Sequence, residues 1–361
     1  MRSFLLYCRA GFEKDCAAEA HDRFAEKGWN GYPQIQEGQG LVIFNADPFD
    51  PEDRSIHPPC GLDFVFARQM VDDAQLVKGL ADGDRATPLV QALVSLAPKG
   101  VYRELRLEYL ESQEGLGIAP FYKKFSPALF NALKRQGLKH ERQDARAPIL
   151  HILMPSYEEA WVGRSWPSRT SPWVNGIPRL KFPKDAPSRS TLKLDEAFLT
   201  LLDEEERKKL LENPGTAVDL GAAPGGWTFQ MVQRGFFVTA VDNGAMDQAL
   251  MNTGLVDHKT EDALKFRPRH AVDLLLCDMV ERPQKVVPLM ASWFKDRLCR
   301  WAVFNLKLPM KKRFEEYENS LQQFWELSGL NPDTHVLRAR QLYHDREEIT
   351  VLVRPKVLGR G

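Results

Sequence analysis

The run Ala217-Val218-Asp219-Leu220-Gly221-Ala222-Ala223-Pro224-Gly225-Gly226-Trp227 constrains this chain more than any other. It opens as a short apolar segment, the pattern of a buried strand, and passes through Asp219 into a loop of Gly, Ala and Pro. Small residues let the backbone approach a ligand closely, and glycine tolerates the dihedrals of a tight turn. Thr228 to Val232 then reads as a helix. A strand, a glycine loop and a helix start make a site for a nucleotide-like ligand at the carboxyl end of a parallel sheet. Gly221, Gly225 and Gly226 do not give the dinucleotide spacing G-x-G-x-x-G, and no Lys-Ser/Thr pair follows as in a P-loop. Taken alone, the run is also compatible with a plain glycine-rich turn.

The surrounding pattern favours the ligand loop. Ser190 or Thr191 caps a helix that runs to Leu202. Strand patterns follow at 216–220, 236–241, 255–259, 272–277 and 300–306, with helical segments between most of them. A helix at 311–329 precedes two further strand candidates, 334–342 and 347–354, joined by Tyr343-His344-Asp345-Arg346. Five βα units and a hairpin predict an α/β domain: a mostly parallel, seven-stranded sheet with an antiparallel edge and helices on both faces.

The first half reads differently. Strands are expected at 4–8, 41–44, 63–71, 101–109, 148–154 and 159–164. Helices are expected at 11–27, with apolar positions Phe12, Cys16, Ala20 and Phe24 and a stop at Gly28, then at 87–97 and from Ser126-Pro127 to Gly137. This is an α+β region of up to two small subdomains. Between the halves, residues 164–193 carry seven Lys/Arg against the single acid Asp185, and four prolines after Pro167. Prolines suit an extended connector; the charge suggests a face for nucleic acid, with Arg164, Arg169, Arg179 and Lys181 as candidates. Lys123 and Lys124 lie in a second basic stretch, 121–147, beside Phe121, Tyr122 and Phe125, which suit either base stacking or core packing.

Whole-chain charge is silent about such a partner: 49 Lys/Arg balance 49 Asp/Glu, so any polyanion must be met by a local patch. Five scattered cysteines without C-x-x-C spacing argue against a zinc site or a disulfide framework and suit a reducing, cytoplasmic setting. No apolar run approaches the length of a membrane span, and the first apolar residues are too few for a signal peptide.

Acids close several strand patterns. Asp242 follows Val241 and lies 16 residues after Gly226, which suits two ribose hydroxyls of an adenosine; Asp262 is placed for the adenine side, and Asp278 ends the fourth strand. Strand-end acids also simply cap loops. Lys307 stands at the end of an apolar strand in Phe304-Asn305-Leu306-Lys307-Leu308-Pro309. Burial and a second cation would favour its neutral form and make it a candidate general base. Lys193 and Glu347 are candidates to complete a group with Asp278, with Glu348 adjacent to the last.

Asp-Leu-Gly-Ala-Ala-Pro-Gly-Gly-Trp resembles the cofactor loop of the FtsJ-like RNA 2′-O-methyltransferases, whose Lys-Asp-Lys-Glu tetrad matches Lys193, Asp278, Lys307 and Glu347. The stretches 187–194, 305–312 and 339–347, and Arg9-Ala10-Gly11-Phe12-Glu13-Lys14 before the first helix, are similar to those of the bacterial ribosomal RNA large subunit methyltransferase M family, nearly end to end. Ala223 occupies a slot where cysteine would serve as well. The resemblance implies a Rossmann-like Class I methyltransferase domain at 190–361. A ferredoxin-like subdomain at 1–60, a THUMP RNA-binding domain at 61–163 and a basic linker at 164–189 would precede it. It implies S-adenosyl-L-methionine as cofactor, held by Ser190, Asp219, Gly221, Ala223, Pro224, Gly225, Gly226, Trp227, Asp242, Asp262 and Asp278. The implied substrate is a cytidine 2′-hydroxyl in 23S rRNA, free or in a large-subunit precursor particle, with Lys311 and Lys312 as further RNA contacts and no metal.

Two rivals follow from the same residues. A base methyltransferase acting on an amino group would use an Asn/Asp-Pro-Pro-aromatic loop where this chain has Asp278-Met279-Val280-Glu281, and one acting on cytosine carbon-5 would need a nucleophile such as Cys277. A non-catalytic assembly factor with a vestigial methyltransferase fold would bind RNA without transferring a methyl group.

Overall fold

The computed structural model describes residues 1–80, 82–111 and 113–356, and the chain divides into two compact units, 1–177 and 178–361. In the first unit the described elements are β1 (Arg2–Tyr7), α1 (Glu13–Glu26), β2 (Trp29–Ile35), β3 (Leu41–Pro48), β4 (Gln69–Lys78), α2 (Ala86–Leu96), β5 (Val101–Tyr102), β6 (Glu104–Glu108), α3 (Gln113–Arg135), β7 (Lys139–His140), β8 (Ile149–Leu153) and β9 (Glu159–Ser165). Seven of these strands form one sheet in the order β2-β3-β1-β4-β9-β8-β6. β4 pairs with β1 on one side and β9 on the other, so the sheet runs across the expected boundary at residue 60.

Several local expectations are corrected. β2 carries no alternation of apolar residues because it is an edge strand, largely exposed, and it accommodates Pro33 for the same reason. Residues 63–68 are packed but irregular. Phe64 and Phe66 are fully buried, and the buried carboxylate of Glu19 accepts the amides of Val65 (2.7 Å) and Phe66 (2.9 Å), taking the place of a strand partner. α3 is continuous through Pro120 and Pro127 rather than starting at Ser126. Tyr122 on α3 is buried, with its hydroxyl donating to the Glu108 carbonyl (2.7 Å), and Phe121 and Phe125 stack on each other against the same core.

The first part of the stretch expected as a connector, residues 164–177, is built into this unit. Buried Arg106 donates to the carbonyls of Ser171 (2.7 Å) and Pro172 (3.1 Å), and Asn175 donates its amide N–H to Glu108 (3.0 Å) and its side-chain NH₂ to the Tyr109 carbonyl (2.7 Å). Gly176 has φ +70°, and a Cβ there would lie 2.3 Å from the Arg68 carbonyl oxygen, so no other residue fits that approach.

The second unit contains α4 (Thr191–Leu201), α5 (Glu204–Leu211), β10 (Thr216–Leu220), α6 (Gly226–Val232), β11 (Phe237–Val241), α7 (Gln248–Met251), β12 (Val256–Lys259), β13 (Val272–Cys277), α8 (Pro283–Lys295), β14 (Cys299–Lys307), α9 (Arg313–Ser328), β15 (His335–Arg340) and β16 (Glu348–Pro355). The sheet order is β12-β11-β10-β13-β14-β16-β15, with β10 to β14 parallel and β16 antiparallel to both its neighbours. Strand periodicity splits the core. Leu274, Leu276 and Val303 pack with Phe198 of α4 and Trp227 of α6, whereas Phe304, on the opposite face, meets Phe324 of α9 at 6.2 Å. Helices therefore cover both faces, as the sequence pattern predicts. Among the described residues no helix is long and apolar enough to cross a membrane.

Arg106 is the pin that holds residues 170–175 to the first unit. Arg106→Ala should destabilise that unit by about 3 kcal/mol, through loss of charge-assisted bonds to buried carbonyls. Limited trypsin digestion checks it: cleavage at Arg169 should accelerate in the variant, and an unchanged digestion rate would rule this anchoring out.

Candidate active site

The ends of the parallel strands and the start of α4 bring four charged side chains together. Lys193 lies in the first turn of α4, whose position is fixed on α6 by Gln230 donating to Thr191 (2.8 Å) and by Arg234 pairing with Asp195 (2.8 Å). Asp278 directly follows β13, and Lys307 ends β14. Because β16 is antiparallel, its first residue, Glu348, stands at the same edge and pairs in register with Lys307. Lys193 Nζ donates to Glu348 Oε1 and lies 3.5 Å from Asp278 Oδ1, while Lys307 Nζ lies 3.3 Å from Glu348 Oε2.

The fourth member of this group is Glu348, which corrects the assignment of Glu347. Side chains alternate across a strand, so neighbouring residues face opposite ways. The Glu348 side chain is 3% exposed between the two lysines, whereas that of Glu347 is 55% exposed and accepts from Arg313 at 2.7 Å. Burial alone would push the Glu348 carboxyl up, but the adjacent Lys193 and Lys307 outweigh it and hold it below the usual glutamate range. Burial would likewise lower the Lys193 ammonium, but Asp278 and Glu348 outweigh it and raise its pKa. Lys193 and Glu348 each favour the other's charged form.

Residues absent from the sequence-based set complete the surroundings. Asn305, fully buried on β14, donates to Asp278 Oδ1 at 2.7 Å and accepts from Thr350 Oγ1 at 2.7 Å. Asn305 and Lys307 are two apart on one strand, as are Thr350 and Glu348 on the next, so the face they share was available from strand periodicity. Glu196 accepts the amides of Tyr343 (2.8 Å) and His344 (3.0 Å) and pins the β15–β16 loop to α4; its sequence position carries no such signal.

The glycine loop is built as its composition suggests. Gly221 and Gly225 have φ +76° and +118°, conformations that favour glycine, and the Ala223–Pro224 peptide is cis. At Gly226 a Cβ would lie 2.1 Å from Ser190 Oγ, so this glycine makes room for the start of α4. Asp242 accepts from the amides of Ala223 (3.1 Å) and Gly244 (2.7 Å), which orient its half-buried carboxylate at the end of β11. That fixed acceptor, beside a loop with two left-handed glycines, fits the ribose of an adenosine-type cofactor. Asp262 is exposed in the turn after β12 and caps the Leu264 amide at 3.0 Å. Trp227, expected to touch cofactor, is instead a core residue, 2% exposed. Asp219 is fully enclosed and accepts from Thr228 Oγ1 at 2.6 Å, which ties β10 to α6; burial pushes its carboxyl up to about 7.

The expected RNA contacts divide. Lys123, Lys124, Lys181 and Lys311 are exposed, and Lys312 is exposed but pairs with Glu315 at 3.0 Å. Arg164 and Arg169 turn inward instead: Arg164 bonds Asp73 and the Leu96 carbonyl, and Arg169 bonds the carbonyls of Pro58 and Pro59. Arg164 thereby caps the carboxyl end of α2, and Arg169 anchors irregular backbone. Arg179 lies over the Tyr343 ring, 5.2 Å from its centroid. In the first unit a cavity of about 610 Å³ is lined by Lys99, Arg146, Arg164 and Trp166. Among the described residues no group of three His, Cys, Asp or Glu is arranged to hold a metal ion.

Three family models match the chain: an RlmM ferredoxin-like domain over residues 1–71, a ribosomal RNA large subunit methyltransferase M N-terminal domain over 84–166, and an FtsJ-like methyltransferase over 186–330. The protein named ribosomal RNA large subunit methyltransferase M from Yersinia pestis bv. Antiqua (strain Angola) is 44% identical over 353 residues, covering 97% of this chain and 95% of its own. The protein of the same name from Yersinia pseudotuberculosis serotype O:3 (strain YPIII) gives the same identity and coverage. Among solved structures, TrmN from Thermus thermophilus aligns with 99% of this chain and all of its own at 17% identity and a TM-score of 0.37.

The raised Asp219 carboxyl has a consequence for stability. The folded state binds this proton more tightly than the unfolded chain, so this group's contribution is most favourable at low pH and declines as pH rises from 3.8 to about 7. Asp219→Asn removes that decline. The variant's Tm relative to the native protein should climb by several degrees across this window and stay level above it. A difference in Tm that does not change with pH would show that Asp219 is ionised throughout.

Proposed function

Because the chain belongs to the ribosomal RNA large subunit methyltransferase M family, we propose that it methylates the ribose 2′-hydroxyl of a cytidine in 23S rRNA, with Lys307 as general base. It is a methyltransferase, and S-adenosyl-L-methionine supplies the methyl group, already activated on a sulfonium. The observation that carries the reading is the Glu348 carboxylate shared between Lys193 and Lys307 at the end of the parallel strands.

A ribose hydroxyl becomes an effective nucleophile only when its proton is removed, and the reaction needs that base, a held hydroxyl and an in-line methyl group. Lys307, the more exposed of the two lysines, reaches the crevice and takes the proton. Lys193 remains cationic between Asp278 and Glu348 and stabilises the developing alkoxide. Glu348 holds the two lysine nitrogens apart, one on each carboxylate oxygen. Asp242 holds the cofactor's ribose hydroxyls, the backbone of Gly221 to Gly225 encloses its amino-acid end, and Asp262 lies on the adenine side. The first unit docks the RNA, free or in a precursor particle, through Lys123, Lys124 and the cavity flanked by Lys99 and Arg146, with Lys181 and Lys311 adding contacts in the second unit.

Methylation of cytosine carbon-5 is disfavoured by Cys277, which is wholly buried with its thiol pushed up to about 12 by that burial. Cys277→Ser should methylate at close to the native rate.

Transfer of labelled methyl to rRNA lacking the modification, followed by alkaline mapping, tests the main reading. A 2′-O-methyl group blocks cleavage at its own linkage, whereas label on a base would leave the alkaline ladder complete and refute the proposal. Lys307→Ala should lower the rate at least a hundredfold, the order expected for a lost general base, while cofactor affinity measured by calorimetry stays unchanged. Glu348→Gln should fall by an order of magnitude or more and Glu347→Gln by no more than about twofold. The reverse ranking would restore Glu347 to the site. Charge reversal at Lys99 and Arg146 together should raise KM for RNA and flatten its salt dependence without changing kcat; an unchanged KM would remove that cavity from the docking surface.

A further inference from the structure

We infer that Asn305 is a positioning residue: its amide, locked in one orientation by Thr350 and Asp345, fixes the Asp278 carboxylate beside Lys193. This rests on the catalytic role proposed for the tetrad and extends it to three buried residues behind it.

Hydrogen-bond direction fixes the orientation of the Asn305 amide. Asn305 Nδ2 lies 2.7 Å from Asp278 Oδ1, the same oxygen that faces Lys193 Nζ at 3.5 Å. An ionised carboxylate only accepts, so Asn305 must present its NH₂ there and its carbonyl oxygen to the other side. On that side Thr350 Oγ1 lies 2.7 Å from Asn305 Oδ1, and an amide oxygen also only accepts, so the single Thr350 proton is committed to Asn305. Thr350 Oγ1 also lies 3.1 Å from Asp345 Oδ2 and 3.4 Å from Oδ1, longer contacts that hold the hydroxyl in place. Asp345 is enclosed, and burial pushes its carboxyl well above the ordinary aspartate range, which favours the form that competes less for the Thr350 proton. From Thr350 through Asn305 to Asp278 every link has one permitted direction.

Backbone pairing makes this chain rigid. Asn305 pairs with Thr350 and Lys307 with Glu348 in the same antiparallel ladder, and Asp345 is tied to the turn by the Leu342 amide at 3.0 Å. Asn305 and Thr350 are fully buried, so water does not substitute for either. Without the Asn305 donor, Asp278 loses the bond that sets its rotamer, and Lys193 loses a fixed partner. A carboxamide placed only to satisfy the core would not need its NH₂ on a partly exposed acid that also faces Lys193.

Full-length enzyme acting on unmodified rRNA tests this by steady-state kinetics. Thr350→Val keeps the shape and removes the hydroxyl; kcat should fall about tenfold, the scale of one net hydrogen bond, with KM for cofactor and RNA unchanged. Thr350→Ser should restore kcat even if its Tm stays below that of the native protein, which a purely structural role would not produce. Asn305→Ala carries the same test independently should Thr350→Val fail to fold, and its effect on kcat should largely vanish in an Asp278→Asn background. Multiplicative losses in that double variant would overturn the inference. So would a change confined to KM, or a Thr350→Ser enzyme as slow as Thr350→Val. An unimpaired Asp278→Asn enzyme would remove the catalytic reading and this inference with it, whereas a crippled Asp278→Asn beside a normal Asn305→Ala and Thr350→Val would remove the inference alone.

Discussion

One buried carboxylate between two ammonium groups is the interaction on which the crevice depends. Placing Glu348 there unpaired would be costly, because a charge withdrawn from water must be compensated locally. Lys193 and Lys307 compensate it from two sides, and Asp278 balances the surplus positive charge. The four groups are mutually conditional: removing any one leaves a charge without a counterpart. Within the cluster Lys193 is held charged, and Lys307 stands on the more exposed side.

Sheet topology makes such a cluster possible from positions scattered over more than 150 residues. Parallel strands bring Asp278 and Lys307 to one edge, and the antiparallel β16 starts where they end, so the hairpin after α9 returns Glu348 to the same line. The fourth member comes from outside the sheet, carried by the first turn of α4. Gly226 matters here more for the helix than for a ligand, since its missing side chain lets the start of α4 close on α6. The cofactor loop and the tetrad are thus joined by packing between two helices.

Much of this was legible in the chain. The five parallel strands, the glycine loop and the strand-end acids follow directly from periodicity and small-residue placement, and the strand ranges agree to within a residue or two over most of the second unit; of the five expected βα units, the one after β12 has no helix. What was not legible depended on tertiary context. β2 lacks an apolar face because an edge strand need not have one. α3 passes through two prolines because packing of Tyr122, Leu129 and Leu133 outweighs their local effect. The connector's arginines look like a nucleic-acid face until Arg164 and Arg169 are seen bonding buried carbonyls and Asp73. Between Glu347 and Glu348 the choice rests on pairing register, which composition does not encode.

That register has a consequence for how the family can vary. β14 and β16 meet as an antiparallel ladder in which Lys307 faces Glu348 and Asn305 faces Thr350, and the intervening loop is fastened to α4 by Glu196. Substitutions in the loop leave this alignment alone. A net gain or loss of one residue absorbed by the strand would turn its faces over, presenting Glu347 and Ile349 where Glu348 and Thr350 now stand. The segment from Leu342 to Glu347 therefore acts as a ruler: its length, rather than its chemistry, is the heritable quantity that sets which acid meets the two lysines.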